Sequence, residues 1–308
     1  MSGGTTGGTG GSGGTGTSRS TESGGGTASD GGTASGGGAG STASRRQPDG
    51  SPRSGGPTRR SSDRPPLELR PLTARSVVLS LLLGSHPPAL PVRDLVRIAE
   101  LFGISDTALR VALTRMVASG DLQRADGTYE LSARLLERQR RQDEAVSPRT
   151  REWDGGWELV AVTVAGRGAT ARAALRVRLA GLRLAELREG LWLRPANLLR
   201  PLPPDLDEVA ARFDGTPQGD PADLVRSLWD LQEWAERAAE LTDRLAAAEG
   251  PAERFTLAAA SVRHLLADPV LPEALLPPDW PAEALRSAFR YYRREVADII
   301  VSAQDALD

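Results

Sequence analysis

The chain of 308 residues contains no cysteine. That excludes a structural disulfide, a thiol nucleophile and a cysteine-ligated zinc site. Lysine is missing as well, so all 38 basic residues are arginines, and Schiff-base or lysine general-base chemistry is excluded with it. Only two histidines occur, His86 and His264, too far apart in sequence to suggest a histidine metal site. Long hydrophobic runs are also missing. Residues 77–83 are broken by Ser80 and are far too short to span a bilayer. The start of the chain shows neither a basic n-region nor an apolar h-region, so the expectation is a cytoplasmic protein without a membrane segment. No Ser/His/Asp set, phosphate-cradling glycine loop or histidine pair can be picked out, so neither catalytic residues nor a metal or cofactor is expected.

What is present is unevenly distributed. Residues 1–200 carry 28 arginines against 19 acidic residues, whereas residues 201–308 carry 10 against 21. A basic front and an acidic rear fit a protein whose front faces a polyanion, although a solvated surface would carry charge too. Residues 1–66 hold 21 of the 34 glycines and almost no large apolar side chains. Such a segment cannot bury enough surface to offset chain entropy, which predicts a disordered leader. Its basic end, with Arg45, Arg46, Arg53, Arg59, Arg60 and Arg64, could touch phosphates loosely, but a solubilising role explains it as well.

Residues 91–131 carry the sharpest pattern. A first apolar helix over residues 72–83 is stopped by Gly84 and the Pro87-Pro88 pair. Pro91 suits the first position of the next helix, on which Leu95, Ile98, Ala99 and Phe102 fall on one face. Gly103 closes that helix and Ser105 is a good N-cap for another. In the helix that follows, Ala108, Leu109, Ala112, Leu113, Met116 and Val117 make the expected buried stripe, and Thr107, Arg110, Val111, Thr114 and Arg115 lie opposite. Gly120 ends it. Two short alternating runs then flank Asp126-Gly127, a strong hairpin signal. A charged linker helix is expected over residues 135–145.

Helix, turn, helix, hairpin is the order of a winged helix-turn-helix, predicted over residues 67–150, with double-stranded DNA as the partner. Arg110 and Thr114, one turn apart, suit base edges in the major groove; Ser105 and Thr107 at the helix N-terminus suit phosphate. Arg115 joins the outward set, and Arg124 in the hairpin suits the backbone or the minor groove.

A second unit is expected over residues 151–219. Residues 157–164 read as a strand, 170–182 as an arginine-laced amphipathic helix and 189–195 as a second strand, while 206–213 fit strand or helix equally. The pattern suggests a ferredoxin-like α+β sandwich. Residues 220–308 return to helix. Leu224, Leu228, Leu231, Ala235, Ala238, Leu241 and Leu245 form a nearly heptad seam, more readily bundle core than dimer contact. Two further helices are joined by a segment in which Pro269, Pro272, Pro277 and Pro278 hold the backbone extended, so that Leu271, Leu275, Leu276 and Trp280 can dock as pegs.

Four motifs in order resemble the PaaX-type transcriptional repressors. They are the stretch 105–120, SDTALRVALTRMVASG; Trp153-Asp154-Gly155-Gly156-Trp157; Gly190-Leu191-Trp192-Leu193-Arg194-Pro195; and the stretch 264–281, HLLADPVLPEALLPPDWP. The resemblance implies a winged helix, a Cas2-like ferredoxin fold and a helical C-terminal domain, and Thr107, Arg110, Thr114 and Arg115 match the family's DNA-reading helix. It further implies a homodimeric regulator of a catabolic operon, released from its operator by an aryl- or acyl-CoA thioester such as phenylacetyl-CoA. Arg176, Arg178 and Arg183 are candidates for the thioester's phosphates. The long leader and the weak strand at 206–213 depart from the family pattern. Two other readings remain at this point: an architectural DNA-associated protein without effector, and a Cas2-like metal-dependent nuclease. The second lacks an Asp at the end of its first strand.

Overall fold

The computed structural model describes residues 72–166 and 168–305. The leader therefore lies outside the described residues. The first helix, α1 (Ala74–Gly84), starts at a capping box in which Thr73 and Ser76 exchange side-chain-to-backbone bonds. Strand β1 (Ala89–Pro91) follows, so Pro91 is the last strand residue and the N-cap of α2 (Val92–Leu101), one position earlier than its expected place in the helix. Helix α3 (Asp106–Ala118) leads into β2 (Leu122–Ala125) and β3 (Thr128–Leu131), and the three strands form an antiparallel sheet in the order β1-β3-β2. Asp126 and Gly127 both take positive φ, 49° and 80°, which a two-residue hairpin turn of this hand requires. Val77, Val78, Leu82, Leu95, Ile98, Leu109, Leu113 and Met116 make one core beneath the three helices.

Helix α4 (Ala133–Val146) is more than a charged linker. Its Gln139 Nε2 reaches the carbonyls of Leu83 and Ser85 at 3.1 and 2.9 Å, and so satisfies acceptors left over at the end of α1. Leu135, Ala145 and Val146 are buried along the same helix.

The middle of the chain forms an antiparallel sheet from β4 (Trp157–Val162), β5 (Ala185–Arg188), β6 (Leu191–Pro195) and β7 (Ala210–Gly215), in the order β5-β6-β4-β7. Helix α5 (Ala169–Gly181) connects β4 to β5. This is the ferredoxin-like strand order, with a 3₁₀ turn (Pro204–Glu208) where the second helix would stand. Residues 206–213 are thus both turn and strand, which is why their pattern fits strand and helix equally. Strand β5 was hidden by its four-residue length and three charged or exposed positions. Alternation along β4 divides the sheet: Val160 faces Leu175, Leu179 and Trp192 under α5, and Trp157 faces Leu193, Val225 and Leu271 on the other side.

The expected continuous helix from residue 220 is two helices, α6 (Pro221–Leu228) and α7 (Leu231–Ala247), broken at Trp229-Asp230, where Asp230 caps α7 through Glu233 N. The seam is core. Leu231 packs with the sheet, and Ala238, Leu241 and Leu245 pack against α8 (Pro251–Leu266) and α9 (Ala282–Asp305). His264, Trp234 and Trp280 stack in series, each pair 4.6 Å apart between ring centroids. Helices α8 and α9 extend beyond this bundle: Phe255, Tyr292, Val296 and Ile300 pack against the α1–α3 core, and Phe102 meets Phe255 edge-on at 5.2 Å.

Candidate nucleic-acid interface

Helix α3 is placed by its inward side. Leu109, Leu113 and Met116, at spacings of four and three, are at most 1% exposed. The stripe is narrower than expected, because Ala108 and Val117 are exposed; two helices and a small sheet cover only a limited arc of α3. Thr107, Arg110, Thr114 and Arg115 all stand exposed on the remaining surface. Ser105 is the N-cap, its Oγ accepting from Ala108 N at 3.3 Å.

The exposed side chains are ordered by local bonds. Arg110 donates from Nε to both carboxylate oxygens of Asp106, at 2.8 and 3.0 Å. Thr114 donates its hydroxyl to the Arg110 carbonyl at 2.9 Å, which turns the methyl group away from that bond. In the hairpin, Arg124 lies over the Tyr129 ring with its guanidinium carbon 5.7 Å from the centroid. Thr107, Arg110, Thr114 and Arg115 therefore share one helix with Ser105 as its cap, and Arg124 sits on the strand that α3 leads into and packs against.

The joint between α3 and the hairpin is an ionic node that the sequence reading missed. Asp121 is 1% exposed, yet it is held by Arg75 at 2.6 Å, by Arg134 and by the Ser119 hydroxyl at 3.0 Å. Burial alone would raise its pKa, but the Ser119 hydrogen bond and the two guanidinium groups outweigh it and hold the carboxyl below the ordinary carboxylate value. Its arginine partners are contributed by α1 and α4, 46 and 13 positions away in sequence, so no local pattern announces them.

A second node ties the middle sheet to the proline-rich segment between α8 and α9. Arg194 is fully buried and donates to five acceptors: the carbonyls of Pro195, Arg183, Pro269 and Val270, and Asn197 Oδ1 at 2.7 Å. Burial pushes its pKa down to about 9, which leaves it charged at neutral pH. Asp268, also buried, accepts from Val270 N at 2.9 Å and pairs with Arg286. The conspicuous motif residues around 268–271 and 192–197 are thus two sides of one joint. A charged residue inside an otherwise apolar strand, Leu-Trp-Leu-Arg-Pro, was the signal that could have revealed it.

Around the sheet entrance, Trp153 donates its Nε1 to the Gly156 carbonyl at 2.7 Å, and Asp154 Oδ1 accepts from Gly156 N at 2.9 Å. Gly155 takes φ 93°, a conformation that favours glycine, and a Cβ on Gly156 would sit 3.0 Å from Asp154 Oδ1, so that carboxylate would have to shift to admit a side chain.

These local structures coincide with three family models: PaaX-like protein over residues 73–135, PaaX protein central Cas2-like domain over 150–213, and PaaX-like protein C-terminal domain over 226–302. The chain belongs to the PaaX-like family. Its strand order bears out a Cas2-like middle domain, and a helical C-terminal region follows it. The PaaX-like chain is also similar to the solved structure titled uncharacterized protein Rv0674 from Mycobacterium tuberculosis, at 49% identity and a TM-score of 0.68, covering 76% of this chain and 100% of that one. No curated protein matches it. Family membership sets it among PaaX-type regulators.

The arginines considered for an effector's phosphates are engaged elsewhere in this PaaX-like protein. Arg176 pairs with Glu186 at 2.9 Å, Arg178 with Asp205, and Arg183 donates to the Asp268 carbonyl. Among the described residues, no helix is long and apolar enough to cross a membrane.

Proposed function

We propose that this PaaX-like chain is a one-component DNA-binding regulator, a repressor of a catabolic operon, and that residues 67–150 act as its winged helix-turn-helix. The observation that carries this reading is the face of α3. Thr107, Arg110 and Thr114, at spacings of three and four, project from a helix whose opposite side is buried, and a two-stranded hairpin bearing Arg124 follows directly. In this reading α3 enters the major groove. Arg110 takes guanine O6 and N7, the Thr114 methyl meets a thymine methyl, and Ser105, Thr107 and Arg115 bind phosphate. Arg124 holds the backbone or the minor groove beside it.

Two such helices are needed to read a near-palindrome, so the working unit is a homodimer with half-sites one or two helical turns apart. Release by an aryl- or acyl-CoA thioester such as phenylacetyl-CoA follows the family resemblance. The test is fluorescence anisotropy of labelled DNA from the gene's own upstream region against random DNA at fixed salt, with and without phenylacetyl-CoA. The reading expects binding roughly 10³-fold or more above random DNA, released by the thioester. Equal binding to both DNAs counts against a specific regulator. Specific binding that ignores the thioester keeps the regulator and rejects this effector.

A further inference from the structure

Strand β7 is an edge of the middle sheet, and among the described residues β4 is its one strand partner. Its Arg212, Phe213 and Asp214 all stand exposed, and Phe213, a large apolar residue, is 57% exposed. An unpaired edge is a row of backbone donors and acceptors that another strand can use, and proteins commonly blunt such edges with bulges or proline. The opposite edge follows that rule, since the pairing of β5 with β6 is interrupted between Glu186 and Arg188. Strand β7 does not. It pairs with β4 in unbroken register from Ala210 to Gly215 and contains no proline.

The phase of the β4–β7 ladder fixes which groups face outward. Thr163 N donates to the Val209 carbonyl at 3.1 Å, one step beyond the facing pair Val162 and Ala210. Bonded and non-bonded pairs alternate in an antiparallel ladder, so Ala211, Phe213 and Gly215 turn their backbone groups toward β4. Ala210, Arg212 and Asp214 turn theirs to the free edge. A second β7 laid antiparallel about a two-fold axis at Phe213 sets Arg212 opposite the partner's Asp214, and Asp214 opposite the partner's Arg212. Both facing pairs then exchange N–H and C=O groups in both directions. The Phe213 rings meet at the non-bonded position between them, where side chains come closest. Registers centred one residue away, on Arg212 or on Asp214, would oppose like charges instead. Arg212 is already held by Asp207 of its own chain, at 2.7 Å through Nε. That pair stays closed, because the charges only select the register and the backbone makes the bonds.

From this we propose that the free edge of β7 is the interface between two copies of this chain, paired about Phe213. The two middle sheets become one continuous antiparallel sheet, with the order β5-β6-β4-β7 repeated in reverse across the axis. The partner is a second copy because the edge is complementary to itself: Arg212, Phe213 and Asp214 supply both sides. The inference rests on the regulator reading for its homodimer and gives that homodimer an interface. It does not depend on α3 touching DNA.

A chain without cysteine makes the test specific. Facing Cα atoms at a non-bonded antiparallel position lie about 4.5 Å apart, within reach of a disulfide. Phe213→Cys in the full chain, mildly oxidised at low protein concentration, should give a covalent dimer on a non-reducing gel. Ala211→Cys should not, because its copy across the axis is displaced by about 13 Å along the strand. Asp214→Arg, which opposes arginine to Arg212 of the partner subunit, should weaken the dimer about tenfold in sedimentation velocity. Cross-linking through position 211 as readily as through 213 overturns the proposal. So does a dimer that Asp214→Arg leaves intact and Phe213→Cys fails to lock; the homodimer then stands with its interface elsewhere. A chain that sediments as a monomer throughout overturns edge and homodimer together, while anisotropy scores DNA binding separately.

Discussion

Asp106 grips Arg110 across one turn of α3, with Nε 2.8 Å from one carboxylate oxygen and 3.0 Å from the other. The pair uses only the Nε edge of the guanidinium, so both Nη groups can still meet a base. It also sets a negative charge beside the exposed face of α3. On an exposed helix such a pair adds little stability, and its consequence lies in orientation. Asp106→Ala should therefore tighten binding to random DNA by a few fold, because a repelling charge is gone, and should lower the ratio of specific to random affinity. Anisotropy on both DNAs at one salt concentration decides it; an unchanged ratio would mean that the pair does not orient Arg110.

Thr114 gives a cleaner substitution. Its hydroxyl is spent on the Arg110 carbonyl, leaving the methyl as the outward group. Thr114→Val keeps that methyl and should bind operator DNA within about 1 kcal/mol of the parent. Thr114→Asp should bind far more weakly. If Val proves as damaging as Asp, the hydroxyl touches DNA and the methyl assignment is wrong.

The Asp121 node links stability to pH. Its carboxyl is held below the ordinary value of 3.8, because Ser119, Arg75 and Arg134 together outweigh burial. The folded state therefore binds this proton less readily than the unfolded chain. Its contribution is complete above the unfolded pKa and is lost as pH falls through the folded one. Urea melts should show stability dropping as pH falls below about 4. Asp121→Asn should cost about 2 kcal/mol at neutral pH and flatten that acid limb. An acid limb identical in the variant would assign the loss to other carboxylates.

Arg194 offers a test of the joint between sheet and strap. Its five acceptors are neutral, so its value lies in satisfying buried carbonyls rather than in a charge pair. Arg194→Met should cost about 3 kcal/mol or more, as several acceptors are orphaned at once. Arg194→Lys should recover only part of it, since an ammonium has three donors and no planar fork. Full recovery with lysine in chemical denaturation would show that the fork geometry is immaterial.

The sequence showed clearly those features carried by local periodicity and turn chemistry. Leu109, Leu113 and Met116 announce the inward face of α3, and Asp126-Gly127 announces the hairpin. Trp157 and Val160 alternate across β4 as a two-faced strand should. Short elements were lost: β1 and β5, with three and four residues, are shorter than the window in which alternation can be read. The break at Trp229-Asp230 was masked because the leucine spacing continues in phase across it. Contacts between distant segments left no pattern. Gln139 closing α1, Arg75 reaching Asp121 and Arg194 clamping residues 269–270 are all set by tertiary packing.

The most direct test of the central assignment is Arg110→Ala, compared with the parent chain by anisotropy on upstream DNA and on random DNA at the same salt. Groove reading by α3 expects specific affinity to fall by about 1–3 kcal/mol while random binding changes much less. Unchanged affinity for both DNAs would contradict it.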